Sequence, residues 1–142
     1  MSFTKLTWNV GDELESCTLP PITRLQLIKY AGASGDYNPI HTVDEAAEEA
    51  GLEGVIAHGM LTAAAMGLPF SSYLEHGYVR GLEVRFSGMV YLGDEITVGG
   101  RVSEREESGE RCTYTFEVYA NNGKNTVASG TVDFLVLEDF SS

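Results

Sequence analysis

The sequence predicts an α+β domain: an antiparallel sheet of about five strands wrapped around one central apolar helix. Three observations carry that expectation. The stretch from Gly54 to Leu74 holds no Asp, Glu, Lys or Arg. From Tyr78 onward the apolar period changes from helical to alternating. Asn121-Asn122-Gly123 then marks a hairpin between two alternating runs. An apolar helix and a sheet with one apolar face bury each other, which is the cheapest way for a single chain to cover both.

The elements follow in order. Phe3, Leu6 and Trp8 are set among polar residues before a turn at Gly11-Asp12. Glu13 to Thr18 suits a short strand, closed by Pro20-Pro21. Thr23 can cap a helix whose apolar side is Leu25, Leu27, Ile28 and Ala31, with Gly32 and Gly35 ending it. A second short helix is expected from about Val43 to Ala50, with Asp44 and Glu45 at its start and Gly51 as its stop.

The uncharged helix begins near Gly59. Leu61, Ala64, Ala65 and Leu68 recur at helical spacing, with Met60, Ala63, Met66 and Phe70 on other faces. Such a helix is expected to be wrapped on most sides, and Pro69 to kink or restart it. Leu82, Val84 and Phe86 share one strand face, opposite Glu83 and Arg85. Ile96 and Val98 lead the next strand. Cys112, Tyr114, Phe116, Val118 and Ala120 alternate with polar neighbours in a third, and Val132, Phe134 and Val136 share a face in the last, Thr126 to Leu137.

Composition narrows the function. At 142 residues the chain is read as one domain, 1–142, without internal repeats. A net charge of −12 with nine scattered basic residues excludes a nucleic-acid binder, which needs clustered Lys and Arg. The apolar run is too short and too interrupted for a membrane span. Cys17 and Cys112 fit no metal spacing and suit a reducing compartment. With no basic-then-apolar leader, the expected location is cytoplasmic.

The chemistry-bearing stretch is Gly35 to His41. Gly35 and Pro39 make it irregular and stiff, and Asn38 can brace its turn. Asp36 and His41 can therefore converge on one water as an acid–base pair. Judged alone, the pair is better read as structural, with Asp36 capping a turn and His41 donating to it. His58-Gly59 opens the apolar helix, where unpaired backbone N–H groups could stabilise a carbonyl oxygen gaining charge. Judged alone, His58 is better read as a cap and Gly59 as a packing position.

Together the two pieces are more specific. Gly35-Asp36-Tyr37-Asn38-Pro39-Ile40-His41, followed by Ala57-His58-Gly59-Met60-Leu61, resembles the MaoC-like dehydratases, which include the R-specific enoyl-CoA hydratases. The likeness spans nearly the whole chain and is nearest to the catalytic B-type subunits of 3-hydroxyacyl-ACP dehydratases. It implies a hot-dog fold, paired in dimers. It also implies reversible hydration of a 2-enoyl thioester to an R-3-hydroxyacyl thioester, with Asp36 and His41 as the catalytic pair. The Gly59 N–H would meet the thioester carbonyl, Asn38 would support the loop, and no metal or other cofactor is needed. Some members carry a polar residue near the position of Gly67, which offers only backbone and space here. Thr62 is available on the helix but carries no assigned role. Arg80 and Arg85 are candidate phosphate contacts, although a solvated strand face is the favoured reading of both. The expected partner is an acyl-CoA or acyl-carrier-protein substrate, with the acidic surface tilting towards CoA. A homodimer or higher homo-oligomer is expected and a heterodimer stays open. The competing functions are an acyl-CoA thioesterase and a non-catalytic partner subunit.

Overall fold

The computed structural model describes residues 6–137. Phe3 lies outside them. Strand β1 (Cys17–Thr18) precedes helix α1 (Arg24–Ser34), a 3-10 turn (Pro39–His41), helix α2 (Asp44–Glu49), helix α3 (Gly59–Ala65) and a second 3-10 segment (Leu68–Tyr73). Four long strands follow: β2 (Gly77–Phe86), β3 (Thr97–Ser108), β4 (Arg111–Asn121) and β5 (Thr126–Leu137). They form one antiparallel sheet in the order β1-β3-β4-β5-β2. β1 is longer than its two residues suggest, because a Glu13–Arg101 bridge and the Leu14 N–H to Gly100 carbonyl bond continue its ladder.

Alternation does what it predicts in β4. Cys112, Tyr114, Phe116, Val118 and Ala120 are buried, while Arg111, Glu117 and Tyr119 face out. The buried face meets Val132, Phe134 and Val136 of β5 and the segment from Ala63 to Phe70 above the sheet. Trp8 closes this core. Its ring stands edge-on to Tyr73, Tyr114, Phe116 and Phe134 with centroids 5.0 to 5.8 Å away. Asn121 and Asn122 build the hairpin: the Asn121 side chain accepts from Gly123 N–H, and that of Asn122 accepts from Lys124 and Asn125 N–H. Gly123 takes the left-handed φ of 89° that an L side chain resists. Gly130 is constrained differently. It lies opposite Val84 of β2, and a Cβ there would come within 1.8 Å of the Glu83 carbonyl oxygen.

Three expectations need correction. Leu25 and Ile28 are 59% and 50% exposed, so only Leu27 and Ala31 of the predicted apolar side of α1 enter the core. The restart expected at Pro69 is present: α3 ends at Ala65 and Pro69 leads the 3-10 segment, because proline cannot donate to the preceding helical turn. But α3 is not wrapped on most sides: Thr62, Ala63, Ala65 and Met66 are buried, but Met60 and Leu68 remain exposed. Similarly, Leu82 and Phe86 of β2 are exposed and only Val84 is half-buried. β2 is an edge strand, bulged between Val79 and Gly81, and pairs with no strand but β5 among the described residues.

Candidate active site

The irregular stretch after α1 is built from its own side chains. Gly35 ends α1 with a left-handed φ of 75° and returns its N–H to the Ala31 carbonyl. Ser34 Oγ then accepts from Asp36 N–H, Asp36 Oδ1 from Asn38 N–H, and Asn38 Oδ1 from Ile40 N–H, each at 3.2 Å. Asn38 thereby caps the 3-10 turn, with Pro39 pre-set at its first position. Such local bonds replace the backbone ladder that an irregular segment lacks. Arg24 brackets the loop from α1, donating to the Thr42 carbonyl and pairing with Asp44 at 2.9 Å.

The loop is stitched to the segment before α3. Ile56 N–H donates to the Ile40 carbonyl, and the Ile56 carbonyl accepts from His41 Nδ1 at 2.7 Å. That bond assigns the neutral imidazole proton to Nδ1 and leaves Nε2 as an acceptor. Nε2 lies 3.8 Å from Asp36 Oδ2, too far for a direct bond and well spaced for a water between them. The Asp36 carboxylate is 52% exposed and His41 is buried. One acceptor is therefore solvent-facing and the other rests in the protein wall.

A cavity of about 480 Å³ opens beside His41, lined by that residue, Ala57, Gly59, Thr62, Phe86 and Met89 among others; Asp36 is not among its lining residues. Gly59 is the first residue of α3, and its N–H has no intrahelical acceptor. A Cβ on Gly59 would sit 3.3 Å from the Phe86 ring, so glycine leaves that approach open. Thr62 also lines a second cavity of about 270 Å³ on the far flank of α3, with Leu61, Ala65, Leu68 and Ile96. Gly67 lines neither. Arg85 borders a separate groove with Glu83 and Ser129, and Arg80 lies 3.9 Å from Asp133, so neither lines the His41 cavity.

His58 occupies a place that sequence reasoning missed. As the residue before α3 it makes no side-chain cap bond. Its ring is buried instead, stacked on His41 with centroids 3.9 Å apart and planes at 22°, and Tyr30 stands against it at 4.7 Å. Its Nε2 donates to the Asp36 carbonyl at 3.2 Å, which leaves Nδ1 as a buried acceptor with no partner among the described residues. An unsatisfied buried acceptor costs about 1–3 kcal/mol. The His-Gly pair signals a helix entry, but the direction of the ring depends on a loop 22 residues earlier.

Asp36, His41 and His58 bring three donor atoms within 4.8 Å of one another. The geometry does not suit a metal. One nitrogen of each imidazole is already engaged by a backbone carbonyl. The rings are stacked, so their lone pairs lie in two nearly parallel planes instead of converging on a tetrahedral centre. Two acceptors around one water is the arrangement the donors do fit.

Known proteins share the fold that carries this site. The (R)-specific enoyl-CoA hydratase of Aeromonas caviae is 28% identical over 109 residues, covering 75% of this chain and 81% of that protein. A mitochondrial 3-hydroxyacyl-[acyl-carrier-protein] dehydratase of Arabidopsis thaliana is 31% identical over 93 residues, 66% of this chain and 55% of the relative. Against the beta subunit of an Aspergillus oryzae fatty acid synthase the match is 44% over 72 residues, or 49% of this chain and only 4% of that protein. Among solved structures, a MaoC-like dehydratase from Rhodospirillum rubrum superposes with a TM-score of 0.82 at 23% identity, over 93% of this chain and 94% of that one. A 3R-hydroxyacyl-ACP dehydratase complex from Mycobacterium tuberculosis gives 0.73 at 14%, over 91% and 98%. These neighbours share the hot-dog fold. The MaoC-like domain model matches residues 7–123, from the N-terminal core through the β4–β5 hairpin, and the chain belongs to that family.

Proposed function

We propose that the chain adds water across the double bond of a 2-enoyl thioester, giving an R-3-hydroxyacyl thioester, and catalyses the reverse elimination. The observation that carries this reading is the pair of acceptors, Asp36 Oδ2 and His41 Nε2, 3.8 Å apart, with His41 lining a cavity that Gly59 also lines. A water held between them offers one O–H to each, which turns its lone pairs towards the cavity. Asp36 takes a proton as the water oxygen bonds to the β-carbon. His41 orients that water and shares the developing charge. The π electrons move to the α-carbon and thioester carbonyl, where the Gly59 N–H accepts the load by donating to the oxygen. Asp36 then returns its proton to the α-carbon on the same side, which completes the addition and restores the carboxylate. The R configuration is supported by the likeness to the (R)-specific enoyl-CoA hydratase of Aeromonas caviae.

The family's hydro-lyase relatives favour this reaction over thioester hydrolysis. The presence of both Asp36 and His41 favours it over a non-catalytic subunit. The net charge of −12 favours a CoA thioester over an acidic carrier protein. A homodimer is proposed through the uncovered edge strand β2, with Tyr78, Val79, Leu82 and Phe86 as the apolar contact. No described helix is long and apolar enough to cross a membrane. The free thiols Cys17 and Cys112 fit a cytoplasmic setting.

The test is crotonyl-CoA, followed by loss of conjugated-thioester absorbance and by release of free thiol. Absorbance loss without thiol is expected. Thiol release would make the chain a thioesterase, and inactivity of the pure homomeric protein would make it a partner subunit.

A further inference from the structure

We propose that His58 is a positioning residue that locks the water-holding loop to the wall carrying Gly59. The inference rests on the hydratase reading above and extends it to a residue that does not touch the reacting atoms.

The turns that build the loop are local. Ser34, Asp36 and Asn38 fix side chains against their own backbone, two residues away in each case, and do nothing to hold the loop against the rest of the molecule. Long-range ties do that. Two run between Ile56 and the Ile40–His41 end. At the Asp36 end the tie is His58 Nε2–H to the Asp36 carbonyl. The same ring stacks on His41 and so fixes the plane in which its Nε2 points at Asp36. One peptide bond further on is Gly59. A single buried ring thus touches both members of the pair and is covalently joined to the carbonyl-binding position.

Packing or capping alone does not account for this side chain. The ring caps nothing, and its Nδ1 is buried without a partner among the described residues. A phenyl ring would fill the same space and stack as well without burying a bare acceptor. What histidine adds is the Nε2–H.

Two substitutions separate donor from shape. His58→Phe keeps the stack, deletes the donor and also deletes the unpartnered nitrogen, so its melting temperature is expected to stay at or above that of the wild type. Its kcat for crotonyl-CoA hydration is expected to fall about 10–100-fold with KM moving less than about threefold, because a misaligned pair loses rate while substrate binding stays. His58→Gln returns an N–H to the ε position and is expected to recover kcat to within about fivefold of wild type. Hydrogen exchange at residues 35–42 should rise in His58→Phe and stay low in His58→Gln. Wild-type kcat in His58→Phe, or equal impairment of the two variants, would overturn the proposal. If the wild type itself does not hydrate crotonyl-CoA, the functional reading has failed. Exchange then decides alone: a rise confined to His58→Phe supports positioning, and no rise overturns it.

Discussion

Asp36→Asn removes one negative charge and leaves the side chain's shape almost unchanged. Oδ1 is engaged in the loop, where it accepts from Asn38 N–H at 3.2 Å, and an amide oxygen can take over that bond. The turn that presents residue 36 is therefore expected to survive. Oδ2 is the atom that changes character. It faces His41 Nε2 across 3.8 Å as an acceptor, and an amide nitrogen in its place would offer hydrogen to the water instead of taking it. The two consequences differ in size. The carboxylate is 52% exposed and solvent screens its interaction with the neutral His41 ring, so the stability change should stay below about 1 kcal/mol. In a chain of this length that is no more than about 4 °C in melting temperature. Loss of a general base typically costs about 10²–10⁴ in rate, or about 3–5 kcal/mol of barrier. Turnover of crotonyl-CoA read by absorbance, alongside a thermal melt, measures both. Turnover within about tenfold of wild type would refute the role of Asp36 as base. A large drop in melting temperature would show instead that the carboxylate serves the loop.

The other predictions address the frame around the site. Gly130→Ala would push a methyl group into the Glu83 carbonyl of β2, 1.8 Å away, so the β2–β5 pairing must open at a cost of about 3 kcal/mol; a urea midpoint close to wild type would show that the strands can slide apart freely. Tyr114→Phe takes the acceptor from Trp8 N–H and should cost about 1 kcal/mol near neutral pH by the same measurement. Burial, and then the Cys112 side chain, push the Tyr114 phenol above its usual value of 10.0, so at higher pH only the unfolded wild-type chain ionises there. The advantage of wild type over Tyr114→Phe should be complete below about pH 10 and shrink above it, and a gap that stays constant would refute this. Dialysis against EDTA should leave turnover unchanged, since the stacked imidazoles do not converge on an ion; loss of activity restored by added zinc would overturn that geometric argument.

What the sequence reveals about this fold depends on how many neighbours a residue needs before its environment is set. Each residue of β4 has one face in the core and one outside, so its alternation is a local signal and the strand runs as expected. Asn121-Asn122-Gly123 is equally local, because the turn is made by those side chains and that φ. Leu25 and Ile28 are apolar at helical spacing yet exposed, and Leu82 and Phe86 alternate yet lie open on the edge strand. Spacing shows which residues want burial, whereas cover depends on what lies beyond the chain's own sheet. The site divides along the same line. Asp36, Asn38 and His41 sit within six residues, bounded by Gly35 and Pro39, and their proximity could be expected from the chain alone. The inward turn of His58 could not, because it needs the Asp36 carbonyl and the His41 face from the loop and Tyr30 from α1, all distant from it in the chain.

An irregular loop is required here for a geometric reason. On an α-helix residues five apart point about 140° away from each other, so residues 36 and 41 could not share a water. The turn that brings them together sacrifices regular backbone bonding and recovers it from side chains, which leaves each functional group with a divided duty. Asp36 gives Oδ1 to the loop and keeps Oδ2 facing His41 Nε2. His41 gives Nδ1 to Ile56 and keeps Nε2. His58 gives Nε2 to Asp36 and leaves Nδ1 idle in the protein interior. Alanine at any of these positions removes both atoms at once and confuses a loosened loop with lost chemistry. Isosteric replacement changes one atom at a time. In Asp36→Asn the structural atom stays and the chemical one is lost, while in His58→Phe the only engaged atom is structural. A rate loss in the first without altered exchange, and in the second with it, would separate the group that reacts from the group that holds it in place.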